Sequence, residues 1–392
     1  GHIIDAVQRS GASAVHPGYG FLSEDPLFAA ACIEAGAIFI GPTPAQIEIM
    51  ANKATAKKKM ESVGVPIVPG YHGPQQDNAT LIAQILKIGF PVIVKPRAGG
   101  GGKGMRVATT GDDLDHLLDT CRREALSAFN DAGLIVERFL ENPRHIEVQV
   151  FGDTFGNIVH FYERDCSLQR RHQKVVEEAP ARALSSRVRK GLIACALTVT
   201  KTIGYHGAGT VEFLVKDELF YFIEMNTRLQ VEHPVTELIT QTDLVEWQLR
   251  VAAGQPLPMT QEEIHCRGHA VQARLYAEDP TRDFLPTGGE VVFAQFPEPC
   301  AGIRVDNGVK VGDVIGIDYD PMMAKIIAYD TDATAAWSKL HTALTQTWLA
   351  GPKTNLSFLS NLSDTALSRS DVFDTGFISR HHSKLTTGPD PN

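Results

Sequence analysis

The sequence predicts a mixed α/β (α+β) fold that is divided into several domains. Strand-like apolar runs alternate with capped helical segments along most of the chain. The composition, 43% hydrophobic and 21% charged residues over 392 positions, is that of a globular protein. At about 150 residues per domain, two or three domains are expected.

Composition also limits the classes of function. The net charge of −9 argues against a protein that wraps nucleic acid or lies on an anionic membrane. The six cysteines include no CxxC pair, which predicts reduced, buried thiols. No run approaches the ~18 apolar residues of a membrane span. We therefore expect no nucleic-acid or membrane partner, and a reducing, cytoplasmic location.

Residues 1–64 are predicted to be the remnant of an α/β domain with linker helices. Ser23 is a candidate N-cap for an early helix, and residues 37–40 form a short apolar strand. Thr43 and Gln46 have the spacing of a capping box, with proline at the first helical position. The helix that they start is predicted to run to Gly64.

Residues 65–139 are predicted to form a small α+β module. β-rich runs occur at 90–95, 105–108 and 134–138, with a helical segment at 112–128.

Residues 140–384 are predicted to form a large C-terminal domain, with one part at 140–255 and another at 265–380. Long strands are expected at 145–151, 158–164 and 209–215, and helices at 186–203 and 235–253. Short strands separated by glycine turns are expected at 269–277, 289–294 and 310–317. The polar segment 385–392 is predicted to be a disordered tail.

A run of four glycines between two predicted strands, within residues 98–106, is the most prominent local motif. It is not a dinucleotide fingerprint, because a strand follows it, and it is not a P-loop, because Gly104 stands where Ser or Thr is required. Backbone N–H groups without neighbouring Cβ atoms can approach phosphate oxygens. Lys95, at the end of the preceding strand, adds a positive charge. We predict a phosphate-binding lid; the alternative is a plain mobile turn.

A predicted hairpin contains two glutamates that we expect to face each other. If the turn is centred on Glu218, Glu212 and Glu224 lie opposite one another, and like charges in that position require a partner between them. Asn226 lies two residues further on the same face. Carboxylate and amide oxygens suit Mg²⁺ or Mn²⁺. The alternative is a pair of exposed glutamates on a sheet edge.

The residues that follow alternate polar and apolar side chains. If the chain stays extended, Arg228, Gln230 and Glu232 continue the face of Asn226. Arg228 could hold an oxyanion, and Glu232 could accept a proton. The alternative is an ordinary polar strand face. A basic run at 165–174 lacks aromatic residues, so it favours a small polar ligand over nucleic acid.

These motifs together resemble the biotin carboxylase component of biotin-dependent acyl-CoA carboxylases, an ATP-grasp family. The resemblance rests on stretches that span most of the chain: HPGYGFLSE at 16–24, the glycine run at 98–106, ENPRHIE at 141–147, the segment 163–180, FIEMNTRLQVEHPVT at 222–236 and RGHA at 267–270. Residues 273–280 and 283–286 are more similar to the α subunits that serve propionyl-, methylcrotonyl- or geranyl-CoA.

The resemblance implies ATP, Mg²⁺ or Mn²⁺, bicarbonate and carrier-bound biotin as ligands. It implies a nucleotide site made of Lys53, Lys95, Gly101, Gly102, Glu137, Arg138, Phe139, Leu140, His145, Gln169 and His172. The metal would be held by Glu212, Glu224 and Asn226. Bicarbonate would bind Lys174, Arg228 and Val231, with Glu232 as the base. Arg274 would stabilise the biotin enolate.

The resemblance also implies an architecture and partners. The expected fold is ATP-grasp: an incomplete N-terminal Rossmann-like domain, a lid and a large C-terminal domain. A preceding βαβ unit of roughly sixty residues would complete the first domain. Expected partners are a biotin carboxyl carrier domain or protein, a carboxyltransferase subunit and a second copy in a homodimer or larger assembly. The alternatives are another ATP-grasp ligase, joining a carboxylate to an amine or thiol, and an inactive, truncated docking subunit.

Overall fold

The computed structural model describes residues 1–98, 104–298, 300–367 and 372–386. Helices and strands are mixed throughout, which confirms the predicted class. The chain forms two compact units. The first unit contains Gly1–Phe161, Leu184–Val231 and Asp243–Ile264, and the second contains Tyr162–Ala183, Glu232–Thr242 and the chain from His265 onward.

The helices of the described residues are α1 (His2–Ser10), α2 (Pro26–Glu34), α3 (Pro44–Ala51), α4 (Lys53–Ser62), α5 (Asn78–Ile88), α6 (Leu114–Phe129), α7 (Ser186–Thr202), α8 (His233–Thr240), α9 (Leu244–Ala252), α10 (Ala333–Thr345), α11 (Leu356–Leu367) and α12 (Phe377–Thr386). None of these helices has the length and apolar character needed to cross a membrane.

The strands within the same residues are β1 (Ala14–Val15), β2 (Ile38–Phe39), β3 (Gly70–Tyr71), β4 (Val92–Pro96), β5 (Arg106–Ala108), β6 (Leu134–Arg138), β7 (Arg144–Gly152), β8 (Ile158–Arg170), β9 (Gln173–Ala179), β10 (Gly207–Lys216), β11 (Leu219–Asn226), β12 (His269–Tyr276), β13 (Glu278–Asp279), β14 (Leu285–Pro286), β15 (Gly289–Glu290), β16 (Phe293–Gln295), β17 (Ile303–Asn307), β18 (Val314–Ile315), β19 (Met322–Asp330) and β20 (Trp348–Ala350).

The helices near the N-terminus differ from the sequence prediction at their first residues. Asp25, not Ser23, caps α2, and its carboxylate accepts from the backbone N–H groups of Leu27 and Phe28 at 2.8 and 3.2 Å. Proline favours the first helical turn, so the cap falls on the residue before Pro26. The predicted Ser23 cap was therefore wrong.

The capping box of Thr43 and Gln46 is confirmed at the start of α3. The helix does not continue to Gly64 as predicted, because Asn52 is extended (φ −97°, ψ 107°) and caps a new helix, α4, through the Thr55 N–H at 3.0 Å. Lys53 consequently stands at the beginning of α4.

The predicted small module forms a four-stranded antiparallel sheet in the order β3-β6-β4-β5. Helices α5 and α6 cover it, and their apolar residues close a core with the sheet: Leu81, Ile85, Leu118, Cys121, Leu134 and Val136. The three strands predicted for this segment are confirmed to within two residues at each end. Gly99–Lys103, which includes most of the predicted lid, lies outside the described residues.

The remaining strands of the first unit include an antiparallel set, β11-β10-β7. In the second unit, β9, β12, β19 and β17 form an antiparallel series, and β8 pairs with β9. Helices α10 and α11 cover this series, and together they enclose the core of the unit. The long hairpin β8–β9 turns at Arg171 and His172, which both have positive φ.

Other helix and strand boundaries also differ from the sequence prediction. The helix predicted at 235–253 is two helices, because Gln241 is left-handed (φ 56°) and Asp243 caps α9 through the Glu246 N–H at 2.8 Å. The strand predicted at 289–294 is broken into β15 and β16, and that predicted at 310–317 is only β18. Helix α12 extends two residues into the predicted tail, where Leu385 is fully buried.

Candidate active-site residues

The hairpin β10–β11 brings Glu212 directly opposite Glu224, as predicted. The turn that produces this pairing differs from the predicted turn. The turn is Asp217–Glu218, with Lys216 opposite Leu219, so it is centred before Glu218. A bulge at Ile223 then adds one residue to β11 and restores the opposition of the two glutamates.

Polar side chains of the first unit surround Glu212. Its Oε2 lies 2.9 Å from His145 Nε2, and its Oε1 accepts from Asn226 Nδ2 at 2.8 Å and from Gln230 Nε2 at 3.1 Å. Lys53 Nζ lies 2.7 Å from Glu224 Oε2. The structure thus brings together the three predicted metal ligands and two predicted nucleotide residues. Gln230 was not assigned a role from the sequence, although its place in the alternating segment was a usable signal.

The donor atoms of this group fit a hard divalent cation. Glu212 and Glu224 supply carboxylate oxygens on paired strands, and Asn226 carries an amide oxygen, which here accepts from Arg228; these are the oxygen types that Mg²⁺ and Mn²⁺ prefer. The ligand atoms of His145, Glu147 and Glu212 also lie within 4.8 Å of one another. A third carboxylate, Glu147, therefore adds to the negative charge of the group.

A buried ion-pair cluster connects α4 with the small sheet. Lys95 Nζ lies 2.7 Å from Glu137 Oε2, and Lys57 Nζ pairs with the other oxygen of the same carboxylate. Burial opposes ionisation of Glu137, but the two lysines outweigh it and lower the pKa of its carboxyl group to about 2. The sequence prediction included Lys95 and Glu137 but missed Lys57, whose signal was its place one turn after Lys53 on the same helix.

The predicted extended segment from Asn226 to Glu232 is not formed. Strand β11 ends at Asn226, residues 227–231 bend and turn, and Glu232 is the N-cap of α8. The guanidinium of Arg228 instead donates to Glu24 Oε2 (3.0 Å) and Asn226 Oδ1 (3.3 Å). Glu24, missed from the sequence, also accepts from the Thr227 N–H at 2.9 Å. No periodicity linked Glu24 to Arg228, which lies about two hundred residues away.

In the second unit, Glu232 lies between two cations. Its Oε1 accepts from Lys174 Nζ at 2.8 Å, its Oε2 accepts from Arg274 Nη2 at 2.9 Å, and the residue is 1% exposed. Burial opposes ionisation, but Lys174 and Arg274 outweigh it and lower the pKa of Glu232 below its ordinary value. The group is therefore a carboxylate at neutral pH.

Arg274 is held from a second side by Glu177, which the sequence prediction did not select. The Glu177 carboxylate accepts from Arg274 Nε at 2.5 Å and from Gln272 Nε2 at 3.1 Å. Burial, together with the neighbouring charge of Glu232, raises the pKa of Glu177 to about 7 against the opposing effects of Arg274 and Lys174. The sequence did contain a signal for the partners of Glu177. Gln272 and Arg274 are spaced two residues apart, as are Arg274 and Tyr276, which places all three on one face of β12.

The other predicted site residues lie in both units. Arg138 ends β6, and Phe139 follows, its N–H donating to the Pro91 carbonyl at 2.9 Å. Leu140 and Val231 lie outside helices and strands, whereas Gln169 and His172 belong to the β8–β9 hairpin of the second unit. Gly101 and Gly102 lie outside the described residues.

Three family models match the chain in succession. "Biotin carboxylase, N-terminal domain" matches residues 1–47, "Carbamoyl-phosphate synthase L chain, ATP binding domain" matches 52–260, and "Biotin carboxylase C-terminal domain" matches 272–380.

Curated relatives are carboxylase subunits and biotin carboxylases. The chain is 49% identical to the mitochondrial methylcrotonoyl-CoA carboxylase subunit alpha of Dictyostelium discoideum, over 98% of this chain and 55% of that protein. The corresponding subunit of Rattus norvegicus is also 49% identical, over 98% and 54%. The chain thus spans about half the length of these relatives. The biotin carboxylase of Haemophilus influenzae is 48% identical over 90% of this chain and 79% of that protein.

Solved structures are similar over nearly the whole chain. The biotin carboxylase domain dimer of the Hydrogenobacter thermophilus 2-oxoglutarate carboxylase, in complex with MgADP, ADP and bicarbonate, superposes with a TM-score of 0.95. It is 40% identical, over 99% of this chain and 85% of that chain. A biotin carboxylase from Campylobacter jejuni with a bound ATP analogue gives 0.93 at 40% identity, over 97% and 84%. The chain belongs to the biotin carboxylase family.

Proposed function

We propose that this chain is a ligase that carboxylates biotin, using ATP and bicarbonate, on a carrier domain or protein. The observation that carries the proposal is Glu232, a buried carboxylate held between Lys174 and Arg274. Glu232 is unprotonated at neutral pH, as a general base must be, and the two cations can offset the negative charge that bicarbonate gains when it loses its proton. A similar structure is a complex with MgADP and bicarbonate, which are the product nucleotide and one substrate of this reaction.

We assign metal binding to the β10–β11 hairpin, and nucleotide binding to the residues that the family resemblance implies. Glu212, Glu224 and Asn226 would hold Mg²⁺ or Mn²⁺, which when bound offsets the negative charge of the phosphates. Lys53 and Lys95 would contact the phosphates. The other residues that we assign to the nucleotide are Gly101, Gly102, Glu137, Arg138, Phe139, Leu140, His145, Gln169 and His172.

The acid–base chemistry is assigned to Glu232. Bicarbonate would be held by Lys174, Arg228 and Val231, and its proton would pass to the Glu232 carboxylate. The freed oxygen would attack the γ-phosphorus of ATP, forming an O–P bond as ADP leaves with the electrons of the broken bond. The product, carboxyphosphate, would release CO₂ and phosphate. The released phosphate would accept the proton of the biotin ring nitrogen, and Arg274 would stabilise the resulting enolate, whose nitrogen then forms a bond to CO₂.

Partners and location are proposed from the relatives. Because the methylcrotonoyl-CoA carboxylase α subunits are nearly twice as long as the matched segment, we expect a biotin carrier and a carboxyltransferase to complete the reaction sequence. A similar solved domain is a dimer, which supports a homodimer here. We propose a mitochondrial matrix location in a eukaryote and a cytoplasmic one otherwise.

The decisive assay is ATP cleavage with and without bicarbonate and free biotin. The proposed function predicts that ADP release requires bicarbonate and rises when biotin is added. ATP cleavage that is indifferent to biotin, but that rises with an amine or thiol acceptor, would indicate another ligase instead. If the chain binds MgATP but shows no turnover with any acceptor, a docking role would replace the catalytic one.

A further inference from the structure

Helix α4 presents two lysines to the interior of the first unit, one turn apart. Lys53 pairs with Glu224 on β11, and Lys57 pairs with Glu137 on β6. Lys57 is only 2% exposed and Glu137 only 1%. A lysine is rarely buried to this extent unless it is paired with an opposite charge.

The Glu137 carboxylate is shared between two ammonium groups. Lys57 Nζ takes one oxygen, and Lys95 Nζ lies 2.7 Å from the other. The sheet register explains the second contact, because Glu137 is opposite Ile93 and therefore diagonal to Lys95 on the same face. Gly70 lies opposite Glu137 on β3, and a Cβ at that position would collide with the Val136 carbonyl oxygen. The carboxylate is thus enclosed on this side by close backbone packing.

Because the Glu137 carboxylate is enclosed, the number of cations that pair with it is important. A buried carboxylate that loses its only cation cannot be rescued by water, and leaving it unpaired is strongly unfavourable. Lys95 is one of the two lysines that we assign to the ATP phosphates. If Lys95 were the only partner of Glu137, each movement of its ammonium group toward a phosphate would leave a bare anion behind.

We propose that Lys57 is a positioning residue, which neutralises Glu137 and so frees Lys95 to bind the nucleotide. The inference rests on the proposed function, since it assumes that Lys95 contacts ATP. Lys57 itself then touches no substrate and acts only through Glu137. Its role should appear in the affinity for ATP rather than in the chemical step.

The test is a double-mutant cycle on the 392-residue chain, with MgATP binding measured by calorimetry. Lys57→Met should weaken MgATP binding and raise the KM for ATP by about tenfold, because Glu137 now holds Lys95 alone. The kcat at saturating ATP should stay within about twofold. Lys58→Met, on the exposed side of the same helix, is the matched control and should bind ATP like the parent.

The second arm removes the anion. In a Glu137→Gln background, Lys57→Met should change ATP affinity by less than about twofold, because no carboxylate competes for Lys95. An equal loss of affinity in both backgrounds would overturn the proposal, since Lys57 would then act independently of Glu137. Unchanged ATP affinity in Lys57→Met would also overturn it.

Two further outcomes separate this proposal from the function it rests on. If Lys57→Met does not fold, E137Q can still be compared with E137Q/K57M, because neither protein contains a lone buried carboxylate. Unequal ATP affinity of these two proteins would overturn the positioning role of Lys57. If the parent chain binds no MgATP, the proposed function fails and the inference fails with it. If the parent turns over with biotin but K57M is identical to it, only the inference fails.

Discussion

Glu232 is held in its ionised form by Lys174 and Arg274, which makes a charge-neutral substitution informative. Glu232→Gln keeps the size of the side chain and can still hydrogen-bond, but it cannot take a proton. We expect the kcat for bicarbonate-dependent ATP cleavage to fall by about 10²–10⁴, the usual effect of removing a general base. The affinity for MgATP, measured by calorimetry, should change little. Parent-like turnover in this variant would show that the base lies elsewhere.

Arg228 offers a contrasting change, because its guanidinium is anchored to Glu24 and Asn226 and is assigned to bicarbonate. Arg228→Ala should raise the KM for bicarbonate by at least about tenfold through loss of a charge-assisted contact. Varying bicarbonate at fixed, saturating ATP measures this. An increase confined to the KM for ATP would instead place Arg228 at the nucleotide.

Glu177 predicts a pH dependence of stability. Its pKa in the folded chain is about 7, against 4.5 for an exposed glutamate, so the folded state holds a proton that the unfolded state has released. This contribution to stability is complete below pH 4.5 and is lost as pH rises through 7. Glu177→Gln has no ionisable group at this position, so its free energy of unfolding does not fall with pH for this reason. The free energy of unfolding of the variant minus that of the parent should therefore increase by roughly 2–3 kcal/mol between pH 5 and pH 8.

Urea unfolding of both proteins at the two pH values measures that difference. The neighbouring Glu178 is the control, because His269 and Arg182 outweigh its burial and lower its pKa. Its carboxylate therefore stays ionised across this range, and Glu178→Gln should show no such rise. A constant offset between Glu177→Gln and the parent would mean that Glu177 is ionised throughout.

The β10–β11 hairpin shows what can and cannot be predicted for such an element. Alternation and turn residues were enough to place the strands and to set Glu212 against Glu224. The two-residue turn and the bulge at Ile223 were not predictable, because no residue type marks either. Two departures from the assumed geometry cancelled, so the pairing was right although the turn was not.

The segment after the hairpin shows the opposite result. Its polar–apolar alternation is as regular as that of a strand, yet it forms a bend and a helix cap. Alternation reports which side chains are buried, and Glu232 is buried by ion pairs rather than by a pleated sheet. Contacts such as Glu24 with Arg228 or Glu177 with Arg274 depend on tertiary packing, which local periodicity does not contain.

The hairpin also gives a test of the metal assignment. Glu224→Gln removes one of the facing charges, and we expect it to abolish ATP turnover at ordinary Mg²⁺ concentrations. The fold should survive, because this side chain is 28% exposed. Glu218→Gln, at the exposed turn of the same hairpin, should keep full activity. Thermal melting checks folding, and normal turnover by Glu224→Gln would contradict the assignment.

The two compact units are not consecutive stretches of sequence. The chain leaves the first unit after Phe161, returns at Leu184, leaves again after Val231 and returns once more at Asp243. The predicted domain boundaries at residues 64, 139 and 384 divide the chain into consecutive segments, so they do not describe units whose segments alternate along the sequence. The predicted metal ligands belong to the first unit, whereas Lys174, Glu232 and Arg274 belong to the second.

Thiol reactivity tests the packing of the whole chain independently of catalysis. Cys32, Cys121 and Cys166 are buried, Cys195 and Cys266 are half-buried, and Cys300 is exposed. The prediction of buried thiols is therefore confirmed for Cys32, Cys121 and Cys166, holds only in part for Cys195 and Cys266, and was wrong for Cys300. Burial raises the pKa of Cys121 to about 11, so both access and thiolate formation oppose its reaction.

In native buffer, an aromatic disulfide reagent should consume one thiol rapidly, the two half-buried thiols slowly and the buried three only after unfolding in guanidinium. Cys300→Ser should remove the fast phase and nothing else. Cys195→Ser, a half-buried position on α7, is the comparison and should leave the fast phase intact. Rapid reaction of a buried thiol in the native protein would mean that its unit opens readily in solution. Cys32 and Cys121 report on the first unit, and Cys166 reports on the second.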